Sequence, residues 1–213
     1  GLSFEAVGAK FKDLGGQLEA TGSKLTGAIT KPFMIGAAVA GGFAAVIGKS
    51  ALGAYAEWEQ LVGGVDTLFK DASGTVQKYA DDAYKTAGLS ANAYMSQVTS
   101  FSASLLQSLG GDTAAAADAA NQAVIDMADN ANKMGTSIGS IQDAYQGFAK
   151  QNYTMLDNLK LGYGGTKTEM ERLLADATKF SGIEYNVDNL ADVYEAIHVI
   201  QTEMGITGTT AEE

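Results

Sequence analysis

The chain has 213 residues, no cysteine, one proline, 26 glycines and a net charge of −11. Without thiols it can form neither disulfides nor thiolate metal sites. Residues 1–54 hold five lysines against three acids, while residues 55–213 hold nine basic residues against twenty-two acids, and so acidic a surface excludes sequence-independent binding to a phosphate backbone by the larger part. Scarce proline and abundant alanine favour helix, the glycines mark turns or close helix contacts, and no stretch alternates as a strand should. The expected fold is all-α: a multi-helix domain of short capped helices, preceded by an N-terminal amphipathic helix and an apolar helix. The expected divisions are an amphipathic stretch at 1–31, an apolar glycine- and alanine-rich helix at 32–56, a helical core domain at 57–208, and the start of a further helix at 209–213. The chain opens on Gly1 with no basic leader before an apolar core, so no secretory signal is expected there. It reads as a piece of a longer polypeptide.

In chain order, Phe4, Val7, Phe11, Leu14, Leu18 and Leu25 fall on a seam with three- and four-residue spacing, with Thr21 as its weak position. About three heptads is the lower edge of a coiled coil. The seam therefore suits either self-association or packing on the same domain, and Gly15, Gly16 and Gly22 would each weaken an isolated helix by about 1 kcal/mol. Residues 32–48 (PFMIGAAVAGGFAAVIG) contain no charge. They fall short of the roughly 20 residues that span a bilayer, although residues 50–56 extend the stretch past Lys49. Small residues recur every four positions, as helices in close approach require. The two readings are a buried hairpin helix in an oligomer and a membrane-contact helix presenting Phe33, Ile35, Val39, Phe43, Val46 and Ile47. Trp58 is expected as a core anchor or a packing residue.

Short helices follow. One from about residue 73 to 87 carries Val76, Tyr79, Ala80 and Ala83. Ser90 is placed to cap the next, which buries Tyr94, Val98, Phe101, Leu105 and Leu109. Asp112 caps another, with Ala120, Val124, Met127, Ala131 and Met134 at heptad spacing. Ile138, Ile141, Tyr145 and Phe148 form one face of a helix that runs into a glycine turn at Gly162, Gly164 and Gly165. A second helix then opens on a capping box, Thr166 with Glu169, and buries Met170, Leu173, Leu174 and Ala177. Asp188 is expected to cap the last helix, with Leu190, Tyr194, Ile197, His198 and Met204.

Residues 149–159 (AKQNYTMLDNL), 161–167 (LGYGGTK) and 169–174 (EMERLL), with 59–69 (EQLVGGVDTLF) and 99–107 (TSFSASLLQ) upstream, carry a specific likeness. From about Ala54 onward the chain resembles the core segment of the tail tape measure proteins of long-tailed phages and prophages of Gram-positive bacteria. The resemblance implies a structural virion protein that lies in the tail tube, sets tail length and leaves ahead of the DNA at infection. The partners implied are further copies of the chain (a homo-oligomer, a trimer in one reading), the tail tube, tail tip and tail assembly chaperone proteins, and in one reading the host membrane. No direct nucleic-acid contact is expected of this segment. A membrane-inserting delivery module at the tail tip is the alternative, and a cell-wall hydrolase a weaker one.

Chemistry is thinly represented. The loop at 162–168 is not a phosphate-binding loop, because Thr166 separates Gly165 from Lys167 and a helix precedes it instead of a strand. His198 is the only histidine, and with no thiolate or second imidazole it is expected at the edge of a helix face. No Gly-x-Ser-x-Gly elbow surrounds a serine, and no Asp-x-Asp-x-Asp-Gly calcium loop is present. The acid pairs Asp81 with Asp82 and Asp126 with Asp129 read as solvated faces. No catalytic residue, cofactor or metal site is expected.

Overall fold

The computed structural model describes the backbone of residues 43–210 and the side chains from residue 53 onward. Among the described residues there are seven α-helices, two 3-10 segments and no strand. The helices are α1 (Phe43–Phe69), α2 (Ser73–Thr86), α3 (Ala91–Ser108), α4 (Thr113–Met134), α5 (Ile138–Phe148), α6 (Lys167–Ser181) and α7 (Leu190–Glu203), with 3-10 segments at Lys70–Ala72 and Leu156–Leu159. The self-association candidates Phe4, Val7, Phe11, Leu14, Leu18 and Leu25 lie outside the described residues, as do Phe33, Ile35 and Val39. Phe43, Val46 and Ile47 lie in α1, their side chains outside the description. No helix among the described residues is long and apolar enough to cross a membrane. The chain divides into two compact units after Glu57, and the core discussed below belongs to the second.

That core is organised around α4, which packs against α2, α3, α5, α7 and both 3-10 segments. The sequence explains how one helix serves so many neighbours. Alanine has the highest helix propensity, and Ala116, Ala117, Ala120 and Ala123 are all buried, so their small side chains let other helices come close on several sides. Asp112 caps the start by accepting from the backbone N–H of Ala114 and Ala115. Gly135 closes the end in the left-handed conformation (φ 62°), and Lys160 Nζ donates to the Met134 carbonyl at 3.0 Å, a cation at the negative pole of the helix.

Ser90 and Asp112 cap the helices that follow them, as their spacing predicts, and Ser137 caps α5. The expected cap of α7 is off by one residue. Asn189, in extended backbone, accepts from Asp192 N, while Asp188 pairs with Lys167 at 3.2 Å. Asn189 also donates to the Ser108 carbonyl at 3.2 Å, fixing the start of α7 to the end of α3, a long-range contact that settles which of two good capping residues is used.

The glycine turn is the larger correction. α5 ends at Phe148, and residues 149–166 make a long strap over the core in place of a tight reversal. Of its glycines Gly162 has a positive φ (85°), while Gln151 and Lys160 adopt left-handed conformations without being glycine. Gly165 is needed for a different reason: a Cβ there would sit 2.2 Å from the Thr154 carbonyl oxygen. Trp58 is 38 % exposed and is not a core anchor. Thr209 and Thr210 form a bend, and residues 211–213 of the expected further helix lie outside the described residues.

Five aromatic rings thread the core from helix to strap. Phe101 meets Tyr194 edge-on at 5.5 Å, Tyr194 tilts on Tyr145 at 5.0 Å, Tyr145 on Phe148 at 5.8 Å, and Phe148 stacks on Tyr153 at 6.1 Å. All five are buried, and each offset or edge-on pair adds about 0.5–1.5 kcal/mol beyond the area it covers.

Candidate functional site

The strap at residues 149–166 is held from both ends by its own side chains. Asn152 Oδ1 accepts from the N–H and hydroxyl of Thr154, forming a local turn. The Tyr153 hydroxyl donates to the Val187 carbonyl at 2.8 Å, and Leu156, Leu159 and Leu161 are buried. Asn158 donates to the Ser140 carbonyl. On the far side the Arg172 guanidinium lies 4.3 Å over the Tyr163 ring and donates to both the Gly162 carbonyl and the Glu169 carboxylate. The Tyr163 hydroxyl donates to Asp176 at 3.0 Å; burial first, then that carboxylate, push its pKa up to about 12.

Thr166 caps α6 by accepting from Glu169 N, one half of the expected capping box. The other half is redirected, since the Glu169 carboxylate accepts from Gly164 N at 3.0 Å. The hydrogen bond from Arg172, then that N–H, hold its pKa below the ordinary value. The Gly164 N–H is thus satisfied within the chain by a carboxylate.

The densest polar cluster lies elsewhere, on a stripe of α4 facing α7. Gln122, Asp126, Asp129 and Asn130 recur at three- and four-residue spacing, so they share one helix face. Asp126 and Asp129 are each 1 % exposed, which corrects the expectation of a solvated pair. Asp81 and Asp82 on α2 are exposed, with Asp82 paired to Lys85. His198 Nδ1 lies 2.9 and 3.1 Å from the two Asp126 oxygens, and Gln122 Nε2 donates to Asp126 at 3.0 Å. Because Nδ1 directs its proton to the carboxylate, the 3.3 Å approach of Gln122 Nε2 to the same nitrogen is a close passage and not a bond. Asp129 accepts from Gly208 N at 2.6 Å and from Thr210 N at 2.8 Å. Asn130 donates to the Leu159 carbonyl and to Gln201 Oε1.

Burial pushes the Asp126 carboxyl up, against the downward pull of its bonds from His198 and Gln122. The hydrogen bond to Asp126 holds His198 above its ordinary value, against burial. A His–Asp pair is the base half of a nucleophilic triad, but the other half is missing here. Among the described residues no hydroxyl hydrogen-bonds His198, and no group of three or more His, Asp or Glu could hold a metal. Two surface grooves, of about 540 and 560 Å³, lie between α6 and residues 184–187, and between the ends of α3 and α5 and the start of α7; neither is lined by His198 or Asp126.

Sequence reasoning passed over Asn130, Gln201 and Tyr145 in this cluster. The signal was present in the pattern, since Asp126 and Asn130 bracket the buried Met127 and so cannot all face water. The Tyr145 hydroxyl is fully buried beside the Gln201 amide without hydrogen-bond geometry to any described residue. Removing it in Tyr145→Phe is therefore expected to leave stability unchanged or raise it by about 1 kcal/mol. A urea midpoint lowered by that amount would mean that the hydroxyl is bonded after all.

What the described residues define is an all-α domain with a buried polar seam between α4 and α7. No protein-family model, curated protein or solved structure matches the chain.

Proposed function

We propose that this chain is the core segment of a tail tape measure protein of a long-tailed phage or prophage: a structural virion component that acts as scaffold and ruler for the tail tube and is released at infection to assist DNA ejection. The observation that carries the reading is the extended likeness of residues 59–69, 99–107 and 149–174 to that family. All-helical composition suits a ruler, because a helix advances about 1.5 Å per residue and length in sequence becomes length in space. In this reading the segment does no chemistry. It works through surfaces: the seam from Phe4 to Leu25 for self-association with further copies, and the tube, tip and chaperone proteins as its other partners. Its place is the tail lumen or tip of the virion.

Tail length in particles whose parent protein lacks residues 73–108 tests the reading. Extended as helix in the lumen, that deletion shortens the tail by about 54 Å. Tails of normal length that fail to deliver DNA would instead make the segment a tip module acting on the membrane through Phe33, Ile35, Val39, Phe43, Val46 and Ile47.

A further inference from the structure

The polar ties on the stripe of α4 do not hold α7 evenly. The first half of α7 is fixed by Asn189 and by the Tyr194 hydroxyl, which donates to the Tyr145 carbonyl at 2.9 Å. The second half, and the turn after it, depend on Asp126 through His198, on Asn130 through Gln201, and on Asp129 through the N–H groups of Gly208 and Thr210. We propose that His198 and Asp126 form a proton-operated latch: with the imidazole protonated, the C-terminal half of α7 and residues 204–210 are closed on α4, and loss of that proton favours their opening as a unit.

Charge must balance around two carboxylates that are almost fully withdrawn from solvent. Asp126 and Asp129 stand one helical turn apart, both almost fully buried. Among the described residues His198 is the ion-pair partner of Asp126, while Asp129 has only N–H dipoles. An uncompensated carboxylate in such surroundings is strongly unfavourable, so the proton on His198 is the countercharge for the seam. The other elements packed on α7 supply no substitute. α3 has no charged residue, α6 directs Arg172 and Lys179 to its own Glu169 and Asp176, α5 presents the neutral Tyr145 phenol, and on α7 itself the neighbouring charge is Glu195, also negative.

The displacements of His198 and Asp126 are both upward, so the closed state binds more protons than the open one, and closure weakens as pH rises. The contribution of His198 is complete below the ordinary histidine value of about 6.5 and is lost as pH passes through its own raised value. This runs opposite to acid unfolding driven by salt-bridged carboxylates. His198 is 29 % exposed at its side chain, so solvent can take the proton without the helix first coming off.

Because His198 is the only histidine, its ring signals in an NMR titration of the full chain report the latch without mutation. The expected midpoint lies above the ordinary histidine value. Amide exchange at Gly208, Thr210 and the second half of α7, corrected for intrinsic rates, is expected to lose protection by up to about tenfold per pH unit between the ordinary histidine value and that midpoint and to level off above it, with α2 and α3 unaffected. His198→Gln and Asp126→Asn should each flatten this dependence. A midpoint at or below the ordinary value, exchange at these amides that does not change with pH, or a slope unaltered in both variants would overturn the proposal. Should a variant fail to fold, the titration and exchange of the unmodified protein decide it.

Discussion

Replacing Gly165 with alanine is expected to destabilise the domain by about 3 kcal/mol, at the upper end of what an overpacked site costs. The new methyl group would meet the Thr154 carbonyl oxygen at 2.2 Å and its carbon at 2.9 Å. These are backbone atoms, and they cannot swing aside as the tip of a flexible side chain can. Thr154 is held by Asn152 on one side, and the chain on the other is anchored by the buried Leu156. The clash must therefore lift the strap from the start of α6, taking with it the Thr166 cap. Gly164, the adjacent residue, provides the control. A Cβ there meets only the Glu169 side chain, Cγ at 3.5 Å and Oε2 at 4.0 Å, ordinary contacts, so Gly164→Ala should stay within about 0.5 kcal/mol of the parent. Urea unfolding of the two variants separates a steric requirement from a general intolerance of alanine in the loop; equal losses would show that the close approach to Thr154 is not what Gly165 serves.

Tyr194→Ala is expected to cost more, about 4 kcal/mol. The ring lies between Phe101 and Tyr145, and its removal leaves a cavity where α3, α5 and α7 meet, walled by rings too rigid to fill it. Tyr194→Phe removes only the donor to the Tyr145 carbonyl. That carbonyl also accepts from Ala149 N at 3.1 Å, so no buried acceptor is orphaned and the loss should be about 1 kcal/mol. Denaturant midpoints with unchanged slopes measure both. A loss in Tyr194→Phe as large as in Tyr194→Ala would place the energy in the hydrogen bond and not in the aromatic packing.

The features legible in the sequence are those set by local chemistry. Ser90, Asp112 and Thr166 cap helices because a short acceptor before a helix can only satisfy the N–H groups two or three residues on. The apolar spacing of Val76, Ala80 and Ala83, or of Met170, Leu173 and Leu174, marks faces that are indeed buried. What was misread depends on partners far along the chain. The strap looks like a turn until Tyr153 finds the Val187 carbonyl and Asn158 that of Ser140. Asp188 and Asn189 are equal as caps until Ser108 engages one of them. Asp126 and Asp129, acids set among alanines, look solvated until His198 and the backbone at 208–210 are placed over them. The single histidine, without a second metal ligand or a nucleophile, gave no sequence reason to look for a carboxylate on another helix.

The position of α7 has a consequence for biosynthesis. Among the described helices it is the last to be translated, yet it packs on α3, α4 and α6, and Tyr194, Ile197 and Ile200 on it are buried. α2, α3 and α4 are neighbours in sequence and can pair as they emerge. They cannot complete a core, because the faces that α3 and α4 turn to α7, Phe101 against Tyr194 among them, stay open until Leu190–Glu203 arrives. The nascent core is thus held in an unfinished, sticky state until α7 is translated, and its folding waits on that helix.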